Sequence, residues 1–153
     1  TDEVLSAMSC SNAYCNNSQV VVVPADKAAD FQSVDACSGL NFAVESGSAG
    51  KAEVEKLGYS FTEVKDQATA LMEVAAGTSD AAIIDLLMAG AMIGEGTDYA
   101  GLKIVDELAV ENYGVAFRQG SDVRDAVNEI FAEMVADGSL GALADKYGLE
   151  LAD

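Results

Sequence analysis

Apolar residues in this chain come in short blocks separated by Gly, Ser, Asn and Asp, and the blocks switch between the strand period and the helix period. Residues 1–15 are polar, with Asn and Ser clusters, and read as the end of a helix followed by a loop. Gln19–Val23 is a valine run that stops at Pro24, which has no N–H to continue a ladder. It predicts a buried strand. Asp26–Phe31 predicts a short turn of helix. After Gly39 the alternation becomes regular. Phe42–Glu45 predicts a strand, Gly50–Leu57 a helix, Gly58-Tyr59 a turn and Ser60–Val64 the next strand. Gln67–Ala76 predicts a helix closed by Gly77, with Leu71, Val74 and Ala75 on one face. Ala81–Asp85 predicts a short apolar strand, Leu86–Ile93 a helix, and Leu102–Leu108 and Tyr113–Arg118 two further strands.

Alternating strands and helices predict an α/β fold with a largely parallel sheet, and strands without clean alternation predict cover on both faces. The C-terminal stretch has a different character. Ser121 or Asp122 is the expected cap of a long amphipathic helix whose stripe is Val123, Val127, Ile130, Phe131 and Met134. Gly138 interrupts it, and Leu140, Leu143 and Tyr147 continue as a second short helix. This stripe needs a surface to bury against, and the residues before position 20 are too few to supply one. The methionines at 72, 88, 92 and 134 are expected as core residues on apolar helix faces.

Composition removes several chemistries. The 153 residues carry 26 acidic against 8 basic side chains, a net charge of −18, which argues against a nucleic-acid partner. There is no histidine, so His-based acid–base catalysis and Ser-His-Asp chemistry are excluded. Cys10, Cys15 and Cys37 have no C-x-x-C spacing, and neither a metal site nor a cofactor is expected. Cys10 and Cys15 flank a short segment, and no sequence rule decides whether they pair. No apolar run reaches the ~18 residues of a membrane span. The chain begins at Thr1 without Met, so a processed, trimmed or excised form is expected.

The candidate chemistry lies in Phe42 to Gly50. A strand breaks into the small-residue loop Ser46-Gly47-Ser48-Ala49-Gly50, and a helix opens at once behind it. Free N–H groups and the helix dipole converge on such a loop, the serine hydroxyls add donors, and glycine lets a bound group approach the main chain. Many strand-to-helix turns share this pattern and bind nothing.

Tyr14–Val23, the loop Glu45–Gly50, the strand ending in Asp85, Glu111-Asn112-Tyr113-Gly114-Val115-Ala116-Phe117-Arg118 and Ala136-Asp137-Gly138-Ser139-Leu140 occur in an order that resembles the polar amino-acid-binding proteins of ABC transporters. These are type II periplasmic-type solute-binding proteins, with two α/β lobes joined by crossing strands around a ligand cleft. The resemblance implies that residues 1–23 are a remnant of lobe 1 with the first hinge strand, and that Thr1-Asp2-Glu3 is the tail of a longer motif. It implies that residues 24–110 are a complete lobe 2. Residues 111–153 would be the second hinge strand, around Tyr113–Phe117, and the helices returning to lobe 1. Most of the N-terminal part of lobe 1 would be missing.

Site roles follow from the resemblance residue by residue. Ser48 matches the Thr or Ser that bonds a ligand α-carboxylate through hydroxyl and N–H, Ala49 adds an N–H, and Ser46 and Gly47 complete the loop. Asp85 matches the carboxylate that accepts the α-ammonium. Glu45 lies where side-chain selectivity is expressed, which suggests a polar or cationic side chain. Val4 stands where the family has its carboxylate-binding arginine, Cys10 where it has an apolar or aromatic residue, and Ala13 where it often has Pro. Apart from the resemblance, Asp85 reads as the cap of the helix at Leu86, and Ser48 as an N-cap.

Two function classes result. One is an extracytoplasmic receptor, periplasmic or membrane-tethered, that presents an amino acid to an ABC permease. The other is a scaffold or sensory domain of the same fold without autonomous ligand binding, self-associating through its C-terminal helices. An enzyme is not expected.

Overall fold

The valine run lies inside a five-stranded sheet. The structure, a computed structural model, describes residues 2–152 in backbone and 4–152 with their side chains. Thr1 and the side chains of Asp2 and Glu3, where the expected motif tail falls, lie outside the described residues.

In chain order the elements are α1 (Asp2–Ala7), β1 (Ser9–Cys10), β2 (Cys15–Pro24), a 3₁₀ turn (Asp35–Cys37), β3 (Asn41–Glu45), α2 (Ala49–Leu57), β4 (Ser60–Val64), α3 (Gln67–Ala76), β5 (Ala81–Asp85) and α4 (Leu86–Met92). Then follow β6 (Leu102–Tyr113), β7 (Ala116–Phe117), α5 (Val123–Ala136) and α6 (Ser139–Tyr147). The chain divides into two compact units, Ser18–Val110 and Thr1–Asn17 with Glu111–Asp153.

The first unit holds the sheet, in the order β4-β3-β5-β2-β6. β3 pairs in parallel with β4 and with β5, while β2 runs antiparallel to β5 with Gln19 opposite Asp85 and Val21 opposite Ile83. Strand alternation divides the core in two. Val20, Val22, Ala43, Ala82 and Ile84 face α3, which contributes Ala70, Leu71 and Val74. Val21, Val23, Phe42, Val44, Ala81 and Ile83 face Val54 of α2 and Cys37. Each fully buried Val or Ile contributes about 1.5–3 kcal/mol.

Several expected details differ. Asp26–Phe31 forms overlapping turns, with Lys27 N–H bonded to the Pro24 carbonyl at 3.0 Å and Asp30 N–H to Lys27 at 3.0 Å, and no helix. The short helical turn lies further on, at Asp35–Cys37. Ala75 is exposed, and Ala70 completes the buried face of α3, because i, i+1 and i+4 converge on this sheet. Met72 and Met88 are exposed rather than core. The two strands expected at Leu102–Leu108 and Tyr113–Arg118 have other bounds: β6 runs unbroken to Tyr113, since Ala109 to Asn112 contains neither Gly nor Pro, the break comes at Gly114, and β7 keeps only Ala116–Phe117.

In the second unit β1 pairs antiparallel with β7, and Cys15 bridges to Leu151. Tyr14 packs on Phe131 with ring centroids 5.5 Å apart. Asp122 takes the N-cap position of α5 without a side-chain cap bond. None of the α5 residues is buried, and Val123, Ile130 and Val135 are more than half exposed, as are Leu5 of α1 and Tyr147 of α6. All three cysteines are free thiols. Cys15 and Cys37 are buried, and burial raises both above the ordinary thiol range. Among the described residues no helix is long and apolar enough to cross a membrane.

Candidate functional site

Parallel pairing puts the C-terminal ends of β3, β4 and β5 on one edge of the sheet in the unit Ser18–Val110. From β3 come Glu45 and the loop Ser46–Ser48, from β4 Glu63 and the residues leading to Gln67, and from β5 Asp85. The loop and Asp85 thus share an edge. In an open α/β sheet this is the edge at which ligands bind.

The loop is shaped by its own bonds. Gly47 adopts φ 74°, a left-handed conformation that suits glycine. Ser48 is the N-cap of α2. Its hydroxyl donates to the Glu45 carbonyl at 2.7 Å and accepts the Lys51 N–H at 3.1 Å. Its own N–H also turns to the Glu45 carbonyl, at 3.2 Å. The Ser46 hydroxyl donates to Glu63, which with Lys51 holds that carboxylate below its ordinary value, and Glu63 in turn raises Lys51. Lys51 lies 2.9 Å from Glu63 and 3.8 Å from Glu55. Both serine hydroxyls are therefore engaged within the unit. The first-turn N–H groups of Ala49 and Gly50 have no acceptor within α2.

Asp85 occupies the N-cap position of α4, but its carboxylate is not a cap for that helix. Instead one oxygen accepts from Gln19 Nε2 at 2.5 Å and the other from Gln67 Nε2 at 2.8 Å, while the Asp85 N–H donates to Gln67 Oε1 at 3.1 Å. Gln19 is 1% exposed, and Asp85 is half-buried. Gly50 is buried where α2 meets β5. A Cβ there would stand 2.7 Å from the Ile83 carbonyl and 3.0 Å from Gln19 Oε1.

The sequence reading missed Gln19 and Gln67. One signal was available: Gln19 heads a run of buried valines, where an amide must find a partner. In the other unit Val4, Cys10 and Ala13 line a hollow of about 410 Å³ together with Leu5, Ser11 and Tyr113. No group of residues among those described has the composition of a metal site.

Residues 1–150 match the model of the bacterial extracellular solute-binding proteins, family 3. The chain belongs to that family. Among solved structures, arginine-bound ArgBP from T. maritima, in a mutant form, is 28% identical with a TM-score of 0.76, over 88% of this chain and 63% of that one. The arginine-, lysine-, histidine-binding protein ArtJ from Geobacillus stearothermophilus has the same fold at 24% identity and TM-score 0.85, over 98% of this chain and 67% of its own. An ancestral amino acid-binding protein, described as a precursor of cyclohexadienyl dehydratase, also has it, at 24% identity and TM-score 0.82, over 96% of this chain and 64% of its own. The family 3 chain described here thus spans about two thirds of the length of these relatives. A comparison with curated proteins finds no match. The α/β periplasmic-binding-protein-like architecture and the family membership expected from the residue patterns are both found.

Proposed function

We propose that the chain is the extracytoplasmic solute-binding component of an ABC transporter, or a fragment of one, and that it binds a polar amino acid by its α-carboxylate and α-ammonium. The observation that carries this reading is the shared sheet edge, where the donor-rich start of α2 stands at one strand end and the amide-held carboxylate of Asp85 at the next parallel strand end. A zwitterion needs these two partners, joined through charge-assisted hydrogen bonds. Ser46, Gly47, Ser48 and Ala49 form the carboxylate seat. The Ser48 hydroxyl turns from the Glu45 carbonyl to the ligand on binding. Asp85 takes the ammonium, and Glu45 favours a polar or cationic side chain.

On this reading residues 24–110 are lobe 2, residues 1–23 are a remnant of lobe 1 with the first hinge strand, and residues 111–153 are the second hinge strand with helices of lobe 1. The protein acts in the periplasm or tethered to the outer face of the membrane, and its macromolecular partner is the permease. It binds rather than converts its solute. The sequence has no histidine to move a proton.

Isothermal titration against the twenty amino acids tests the reading. Heat is expected with at least one polar or basic amino acid, and Asp85→Asn is expected to weaken that binding about tenfold or more. A panel without heat would remove the receptor function. A second reading would then apply, that of a scaffold or sensory domain without autonomous binding. It is favoured by one observation, that the Ser48 hydroxyl is satisfied within its own loop. On either reading the exposed stripe of α5 is proposed to meet a second copy of the chain.

A further inference from the structure

A carboxylate at an N-cap position has a local alternative, since it can turn to the first-turn N–H groups of its own helix. Asp85 is held away from that arrangement by two side chains that come from opposite sides of the sheet edge. Gln19 stands directly across the antiparallel pair from Asp85, so their side chains share a face, and its Nε2 meets one carboxylate oxygen at 2.5 Å. Gln67 is the first residue of α3. It closes a two-bond ring with Asp85, donating Nε2 to the other oxygen at 2.8 Å and accepting the Asp85 N–H at 3.1 Å. The ring fixes the Gln67 rotamer as well as the carboxylate plane.

The chemistry of the two donors matters. An amide is neutral, so it orients the carboxylate without cancelling its charge, as Lys or Arg would. An ionised carboxylate accepts at both oxygens, and each amide meets a different one. The contact is also built in from the far side. Gln19 Oε1 lies against Gly50, at the start of α2, where a side chain would collide with it. One buried glutamine therefore touches both the helix start that offers N–H groups and the carboxylate that offers charge.

We propose that Gln19 and Gln67 are positioning residues that set the direction of the Asp85 carboxylate and thereby the selectivity of this edge for an α-ammonium group. This inference rests on the amino-acid-binding reading above. In its absence the carboxylate relaxes toward the first turn of α4, keeping the fold and losing the discrimination.

The test compares wild type with Gln67→Leu, Gln67→Glu and Gln19→Met, titrated with each of the twenty L-amino acids. Each one that gives heat is paired with the same acid lacking its α-ammonium. The preference for the amino acid over its desamino partner is expected to fall about tenfold or more in Gln67→Leu and Gln19→Met. Affinity for the desamino compound should stay within about twofold of wild type, which reports an intact carboxylate seat in a folded chain. Gln67→Glu, which keeps the length and loses the donor, should behave like Gln67→Leu, and Gln67→Asn should recover none of the preference, because its amide falls short. An unchanged preference in the variants overturns this inference alone. A wild-type chain that binds nothing overturns the receptor reading and this one with it. Independently of any ligand, the side-chain amide resonances of Gln19 and Gln67 should both move in Asp85→Ala, and amides that stay in place would overturn the positioning role.

Discussion

Gly50 shows how one hydrogen in place of a methyl fixes a site. Sequence reasoning assigns the loop glycines to close approach by a ligand, yet Gly50 is buried and its missing Cβ lets α2 pack against the Ile83 carbonyl and Gln19. Gly50→Ala must push the helix start outward. The expected cost is about 1–3 kcal/mol, read as a lower urea midpoint with an unchanged slope. At this scale much of the site was legible. Ser48 reads as an N-cap and is one, and Asp85 reads as a strand-end carboxylate and is one. The glutamines were not legible, because their meaning depends on a register, Gln19 opposite Asp85, that joins residues far apart in the chain. The cap role considered for Asp85 fails for the same reason, since local sequence cannot show that two distant amides outcompete the adjacent helix.

Among the elements, α3 matches its sequence signals at both ends. Asp66 caps it through the Thr69 N–H at 2.7 Å, and Gly77 closes it at φ 74°. Hydrogen bonds from the Thr69 hydroxyl and then the Thr69 N–H hold the Asp66 carboxylate below its ordinary 3.8. A carboxylate with a lowered folded pKa stabilises the fold above its unfolded value, and the contribution disappears as pH falls through the folded one. Stability measured by urea unfolding should therefore drop below about pH 4, and Asp66→Ala should flatten that part of the slope while lowering stability at neutral pH. A slope unchanged by the substitution would rule out the cap as its source. The boundaries of β6 were less legible. Its middle residues alternate weakly in burial, so periodicity alone did not join Leu108 to Tyr113. The amphipathic stripe of α5 was fully readable, and among the described residues none of α5 is buried.

For the molecule as a whole, two properties oppose each other. Val123, Ile130, Val135, Leu143 and Tyr147 expose apolar surface on α5 and α6, which favours a contact between copies. A net charge of −18 drives copies apart. Added salt screens the repulsion and leaves the apolar gain in place. The mass seen by light scattering is expected to rise with salt and with protein concentration, and Ile130→Glu should suppress the rise. A mass that stays monomeric at high salt and high concentration would exclude the contact.

The division of the chain also carries a timetable. Ser18–Val110 is continuous in sequence, whereas the other unit is assembled from Thr1–Asn17 and Glu111–Asp153. Synthesis completes the whole continuous unit before it reaches residues 116, 117 and 151, and contacts between near neighbours form sooner than those that close long loops. Ser9 and Cys10 must wait for Phe117 and Ala116, and Cys15 for Leu151. During synthesis Ser18–Val110 is complete before Ser9, Cys10 and Cys15 can meet the residues they pair with.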